Sequence, residues 1–260
     1  MIKIMKYTFL DFARSRWSLA YFFFYLIVGF ILLFLNSNLS KSILTLMNII
    51  LILSPLIGTI FGVMYYYSSR EYTEILLAQP IKRDIIFIGQ YLGVSISLSI
   101  SLIVGIGIPF VLYGLFESSQ IFNFIYLLLT GCFLTFIFTA ISYNVALSNE
   151  NKIKGFGYSI LIWLFFALVY DALFITFLLI FEEYPLDKFT LIATALNPID
   201  LSRILILLKL DISVLLGYTG AIFQKYFGTN VGVITSFSFL LFWVILPLIK
   251  IKYKIKNKDF

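Results

Sequence analysis

Long apolar runs broken by short charged connections dominate the chain. Six stretches, roughly 17–35, 43–67, 91–116, 121–147, 156–181 and 231–249, are almost continuously apolar. A hydrocarbon core about 30 Å thick needs about 20 helical residues, and each stretch meets that length. Backbone polar groups in lipid must find partners within their own segment, which favours helices. A membrane β-barrel would instead show alternating segments of about ten residues. FFFYLIVGFILLFL, within the first stretch, does not alternate. The pattern predicts an all-α polytopic membrane protein with six transmembrane helices, forming a single transmembrane domain over residues 1–260.

The connection from Ser68 to Gly93 is the only long charged segment between two strongly apolar ones. Ser68 and Glu71 have the spacing of a capping box, in which serine and glutamate satisfy each other's backbone N–H. Ile75, Leu76 and Leu77 give the short helix an apolar end, and Pro80 stops it, since the residue before a proline disfavours helix. A second helical start at Lys82–Asp84 runs into the third span through Gly89 and Gly93. Residues 68–90 therefore read as a loop carrying a short amphipathic helix across the ends of the bundle.

Polar and small residues mark the faces of the spans. Ser54, Gly58 and Gly62 form a small-xxx-small row that lets a neighbouring helix approach closely, with Pro55 as a candidate kink. Ser95, Ser97, Ser99 and Ser101 can bond to carbonyls or across to neighbours, and Gly105, Gly107 and Pro109 are expected to loosen the outer half of that span. Thr135, Thr139, Ser142 and Asn144 make the inner half of the fourth span polar. Asp171 lies near mid-depth, where a carboxylate is costly unless paired or neutralised. No Arg or Lys in another span offers it a partner, so Asp171 reads either as a gating or transport residue or as a structural helix–helix hydrogen bond. Residues 182–230 are long for a loop: Asn197-Pro198 reads as a helix start, and a second piece follows over Asp211–Phe227. Both pieces are expected on the outer membrane surface, either as a platform for a partner or as a self-packed cap.

Charge orients the bundle. Fourteen Lys and Arg fall in the N-terminal arm, the 68–90 and 148–155 connections and the tail, against five on the opposite side. The positive-inside bias places both termini of this multi-pass membrane protein in the cytoplasm. It also accounts for the net charge of +6 without nucleic acid as a partner. Residues 1–16 suit an amphipathic helix meeting membrane lipids through Lys3, Lys6, Arg14 and Arg16, or equally a plain topogenic flank. The first apolar run is full-length for a span and lacks an A-x-A cleavage pattern, so it is kept as a span.

Composition narrows the chemistry. Hydrophobic residues make up 61% and charged residues 12%, too few to cover a water-facing surface. There is no histidine and one cysteine, Cys132, so neither an intrachain disulfide nor a Cys/His metal site is expected. No GxxxxGK[ST], HExxH or GxSxG occurs. The chain is expected to hold no ATP, no other cofactor and no metal, and not to be an enzyme.

These features resemble a known family. Arg70, Glu71, Glu74, Leu76, Leu77, Pro80 and Arg83, followed by Gly89, Tyr91, Leu92 and Gly93, are similar to the first cytoplasmic loop of ABC-2-type transporter membrane subunits. LNPIDLSR over Leu196–Arg203 and KLDISVLLGYTGAIFQKYFG over Lys209–Gly228 further resemble the permease subunit needed to mature nitrous-oxide reductase. The resemblance implies that Arg70 to Arg83 form a coupling helix seated on a cytoplasmic ABC ATPase subunit, which would carry the ATP and Mg. It also implies a permease homodimer and a periplasmic copper-delivery protein docked near Asn197, Pro198, Asp200, Arg203 and Asp211. The expected role is to convert ATP hydrolysis into movement of that partner or export of a sulfur species. With few thiol or thioether ligands the chain itself suits Cu(I) poorly. The alternatives are a generic ABC-2 exporter of a lipid or hydrophobic compound, and a membrane scaffold that transports nothing.

Overall fold

A computed structural model describes residues 1–36, 38–181, 186–209 and 230–257. All regular structure among them is helical. In chain order the helices are α1 (Ile2–Ala13), α2 (Arg16–Leu35), α3 (Leu39–Ser68), α4 (Arg70–Leu77), α5 (Arg83–Leu112), α6 (Ile121–Ser148), α7 (Lys152–Leu164), α8 (Tyr170–Ile180), α9 (Asp187–Leu196), α10 (Pro198–Lys209) and α11 (Asn230–Asn257). A single π-helical stretch, Phe165–Val169, joins α7 to α8. Among the described residues six spans are long and apolar enough to cross a membrane: α2, α3, α5, α6, α7–α8 together, and α11. They match the six expected stretches.

Small residues set the helix spacing. Lipid supplies no hydrophobic drive between spans, so close packing and interhelical hydrogen bonds must hold the bundle. A Cβ on Gly58 would lie 3.1 Å from the Thr135 carbonyl, and one on Gly62 3.1 Å from that of Thr139. The small row on α3 is thus the seat of α6. Gly89 and Gly93 on α5 seat α1: a Cβ on Gly93 would come within 2.6 Å of Thr8. Gly105 does not loosen α5, which runs unbroken to Leu112. It instead admits α2, the Phe22 carbonyl lying 2.9 Å from the position of its absent Cβ. The α5 turn ends at Gly114, whose φ of 86° is the left-handed value that glycine tolerates.

Two local expectations are corrected. Ser68 and Glu71 form no capping box: Ser68 Oγ donates to the Tyr65 carbonyl, and Ser69 takes the N-cap position of α4 without a side-chain bond. α3 simply runs one residue further than the box required. The second correction concerns α10. Expected on the outer membrane surface, it is instead enclosed, for Leu201, Ile204, Leu205, Ile206 and Leu207 are all buried. α10 packs among α3, α6 and α11, and its run over residues 204–208 is apolar on every side. It meets α9 at a bend of 113°.

That bend reaches the middle of the bundle. Asn197 Nδ2 at the bend donates to the Phe166 carbonyl at 2.9 Å, and Trp243 Nε1 donates to the Ala195 carbonyl at 3.0 Å. Phe166 and Trp243 lie near the middles of spans Lys152–Ile180 and Gly232–Lys256. Lys209, at the far end of α10, places its ammonium 5.3 Å from the Tyr126 ring, in the second turn of α6. The α9–α10 pair is therefore a re-entrant V with its apex at Asn197. Broken helices survive at such depth only when protein buries them.

Candidate functional site

The helix expected to meet an ATPase, α4, lies at the end of the bundle where α3 finishes and α5 begins. Its two faces differ. Arg70, Glu71, Glu74, Ile75 and Pro80 are exposed, whereas Thr73 and Leu76 are buried. Arg70 Nε and Glu74 Oε1 pair at 3.0 Å across one turn, both largely in solvent. Such a pair contributes little to stability. Arg83 is exposed at the start of α5.

The inner face rests on two apolar clusters. Leu76 packs with Ile4 of α1 and Ile86 of α5. Leu77 joins that cluster and also one built from Phe87, Tyr143, Leu147, Ile251 and Ile255, drawn from α5, α6 and α11. Tyr72 stacks on Tyr7 of α1, with ring centroids 5.1 Å apart. A displacement of α4 is thus felt by four other helices.

Beneath these contacts runs a buried polar chain. Thr73 Oγ1 donates to the Ser69 carbonyl at 2.8 Å. Gln90 Nε2 of α5 donates to Thr73 Oγ1 at 2.8 Å, and Tyr143 OH of α6 donates to Gln90 Oε1 at 3.0 Å. Gln90 and Tyr143 are fully buried. Hydrogen bonds in such surroundings are stronger than in water, and an unmet group is correspondingly costly. The chain links α4 to the third and fourth spans. Sequence reasoning singled out neither Gln90 nor Tyr143, although an amide following the apolar run 85–89 at the start of a span is a readable signal.

The other expected residues gather around the apex of the V. Arg203 Nη1 donates to Asp171 Oδ2 at 2.8 Å and to Asp200 Oδ1 at 3.3 Å. Asn197 Nδ2 also donates to Asp200 Oδ2 at 2.8 Å, while Asn197 Oδ1 accepts from the Ile199 N–H. The expectation that no cation reaches Asp171 is corrected: α10 brings one in. Asn197 is therefore the helix cap that the Asn-Pro pair indicated. Asn197, Pro198 and Asp200 are buried against their own chain, so they shape the V and present no open surface. Asp211 lies outside the described residues.

No family model matches the chain. It is 23% identical over 193 residues to the probable ABC transporter permease protein NosY of Pseudomonas aeruginosa, covering 67% of this chain and 66% of that protein. It is 22% identical over 211 residues to the probable ABC transporter permease protein NosY of Stutzerimonas stutzeri, covering 75% and 76%. The chain resembles ABC transporter permeases. The likeness supports a membrane subunit of an ABC transporter, distinct from the subunit that hydrolyses ATP. Six apolar helices and this likeness together make it a multi-pass membrane protein.

Proposed function

We propose that the chain is the permease subunit of an ATP-driven transporter serving maturation of the copper site of nitrous-oxide reductase. α4 receives the movement of a separate cytoplasmic ATPase. The supporting observation is the two-sided construction of α4: Glu71, Glu74 and Ile75 face solvent, while Thr73 is tied through Gln90 to Tyr143. A surface that only needed solubility would have no use for the buried chain. The names of the two relatives support the nitrous-oxide reductase assignment. This reading carries with it two copies of the permease and a periplasmic copper-delivery protein on the opposite side. In this reading the α9–α10 V opens toward the side on which that partner docks.

Reversing Glu71 and Glu74 to lysine changes the charge of the exposed face and leaves the buried face alone. Co-purification of the ATPase with the double variant is expected to fall at least about tenfold, as when like charges are set against each other across an interface. Growth on nitrous oxide is expected to be lost with it. Undiminished ATPase binding and growth would refute the reading. ATPase binding that depends on these residues, with normal nitrous-oxide reductase activity, would leave an exporter of another compound.

A further inference from the structure

A cleft of about 870 Å³ opens between α6, α7 and α11 at the end of the bundle that carries α4. That volume lies within the range of sites that hold small ligands, about 300–1,000 Å³. Its composition is graded. Leu161, Phe165, Trp243 and Leu246 form apolar walls, whereas Ser148, Asn149, Lys250 and Lys254 stand at the mouth. Among the described residues no carboxylate lines it.

Depth and charge together specify an occupant. One wall runs along α7 from Tyr158 to Phe165, about 11 Å at 1.5 Å per residue. A single leaflet contributes about half of a 30 Å hydrocarbon core, so the apolar walls span most of the depth of one leaflet. Lys254 Nζ is held at the mouth, 3.0 Å from the Asn144 carbonyl and bonded to Ser148 Oγ. Lys250 lies one turn earlier on the same side of α11, is exposed, and makes no ion pair among the described residues. Basic clefts between spans at the cytoplasmic leaflet suit anionic lipid head groups. A second copy of the chain fits less well, because a two-fold contact uses the same patch on both subunits, and this patch offers its lysines no carboxylate to meet.

We infer that this cleft binds one anionic phospholipid of the adjoining leaflet. Its phosphate lies between Lys250 and Lys254, and an acyl chain lies along Leu161, Phe165 and Leu246. The site stands apart from α4 and does not depend on what the transporter moves.

The test is native mass spectrometry of the purified protein, with whatever subunits accompany it, titrated with phosphatidylglycerol or phosphatidylethanolamine of identical chains. The wild type is expected to retain phosphatidylglycerol severalfold better. Lys250→Gln should lower that preference about fivefold, the worth of one lysine near an anionic surface. Leu161→Trp, a change at an exposed position on the wall, should displace the bound lipid without loss of thermal stability. Equal retention of the two lipids by the wild type would overturn the inference, as would a preference unchanged in both variants. Efficient disulfide formation between copies carrying Leu161→Cys, in a Cys132→Ser background and in phosphatidylglycerol vesicles, would also overturn it. That result would show a second copy filling the cleft.

Discussion

Gln90 carries the polar link from α4 to the third and fourth spans, and its chemistry permits a sharp test. Its amide donates to Thr73 with one end and accepts from Tyr143 with the other. Gln90→Leu leaves the buried Tyr143 hydroxyl without its acceptor, at a cost of about 1–3 kcal/mol. Tyr143→Phe removes the other partner and leaves the Gln90 carbonyl unmet. Removing both partners leaves neither stranded, so the double variant is expected to recover most of the lost stability. Coupling should not recover. In the complex with the ATPase, transport per ATP hydrolysed is expected to fall several-fold in both single variants and to stay low in the double variant. Thermal unfolding and the transport ratio, measured on the same preparations, separate the two effects. Activity that rises with stability in the double variant would reduce this hydrogen-bond chain to packing. Arg203 makes the complementary point about reading sequence. It was visible as a cation in a connection, yet its partnership with Asp171 depends on a bend that brings α10 into the bundle.

At the scale of elements, α1 is held by two missing side chains. Gly89 and Gly93 open a groove on α5, and Ile4 and Thr8 of α1 fill it. Thr8 also accepts from Tyr65 OH at 3.4 Å, and Phe12 packs edge-on against Phe61 and Tyr65 of α3. Gly93→Leu adds a side chain whose Cβ alone would lie 2.9 Å from the Met5 carbonyl, an atom that cannot rotate away. The variant is expected to release α1 while the spans remain folded. Protease cleavage after Lys3 or Lys6 should accelerate, with circular dichroism nearly unchanged. Unaltered cleavage would mean that α5 bends to keep α1 in place. The sequence showed the GxxxG row but not which helix it receives, because spacing defines a face and only the fold supplies the neighbour. The same limit applied to the 58–62 row. The spans themselves were legible because membrane thickness dictates run length. The Ser68–Glu71 box misled because its spacing was met while α3 had not yet ended.

For the whole molecule, the path of the chain constrains its topology. α1 lies against the start of α5, and Lys254 near the end of α11 bonds to the end of α6. Both chain termini therefore sit at one end of the bundle, the end that carries α4. α8 finishes at the opposite end, and α11 begins there. Among the described residues between them lies the α9–α10 pair. α9 enters, turns at Asn197 and leaves as α10, which is how an apolar stretch with span-like composition avoids making a seventh crossing. Hydropathy alone cannot separate a re-entrant V from a flat surface pair. The difference lies in hydrogen bonds from Asn197 and to Ala195 at mid-depth. Three single cysteines in a Cys132→Ser background test the path: Lys3→Cys, Glu117→Cys and Lys256→Cys, all at exposed positions. In intact spheroplasts a membrane-impermeant maleimide is expected to label Glu117→Cys alone. Lys3→Cys and Lys256→Cys should react only after permeabilisation, as the excess of basic residues on their side requires. Labelling of Lys3→Cys and Lys256→Cys from opposite sides would demand an odd number of crossings and would break the V. Labelling of both from outside would keep the V but invert the bundle, placing α4 where no cytoplasmic ATPase reaches it.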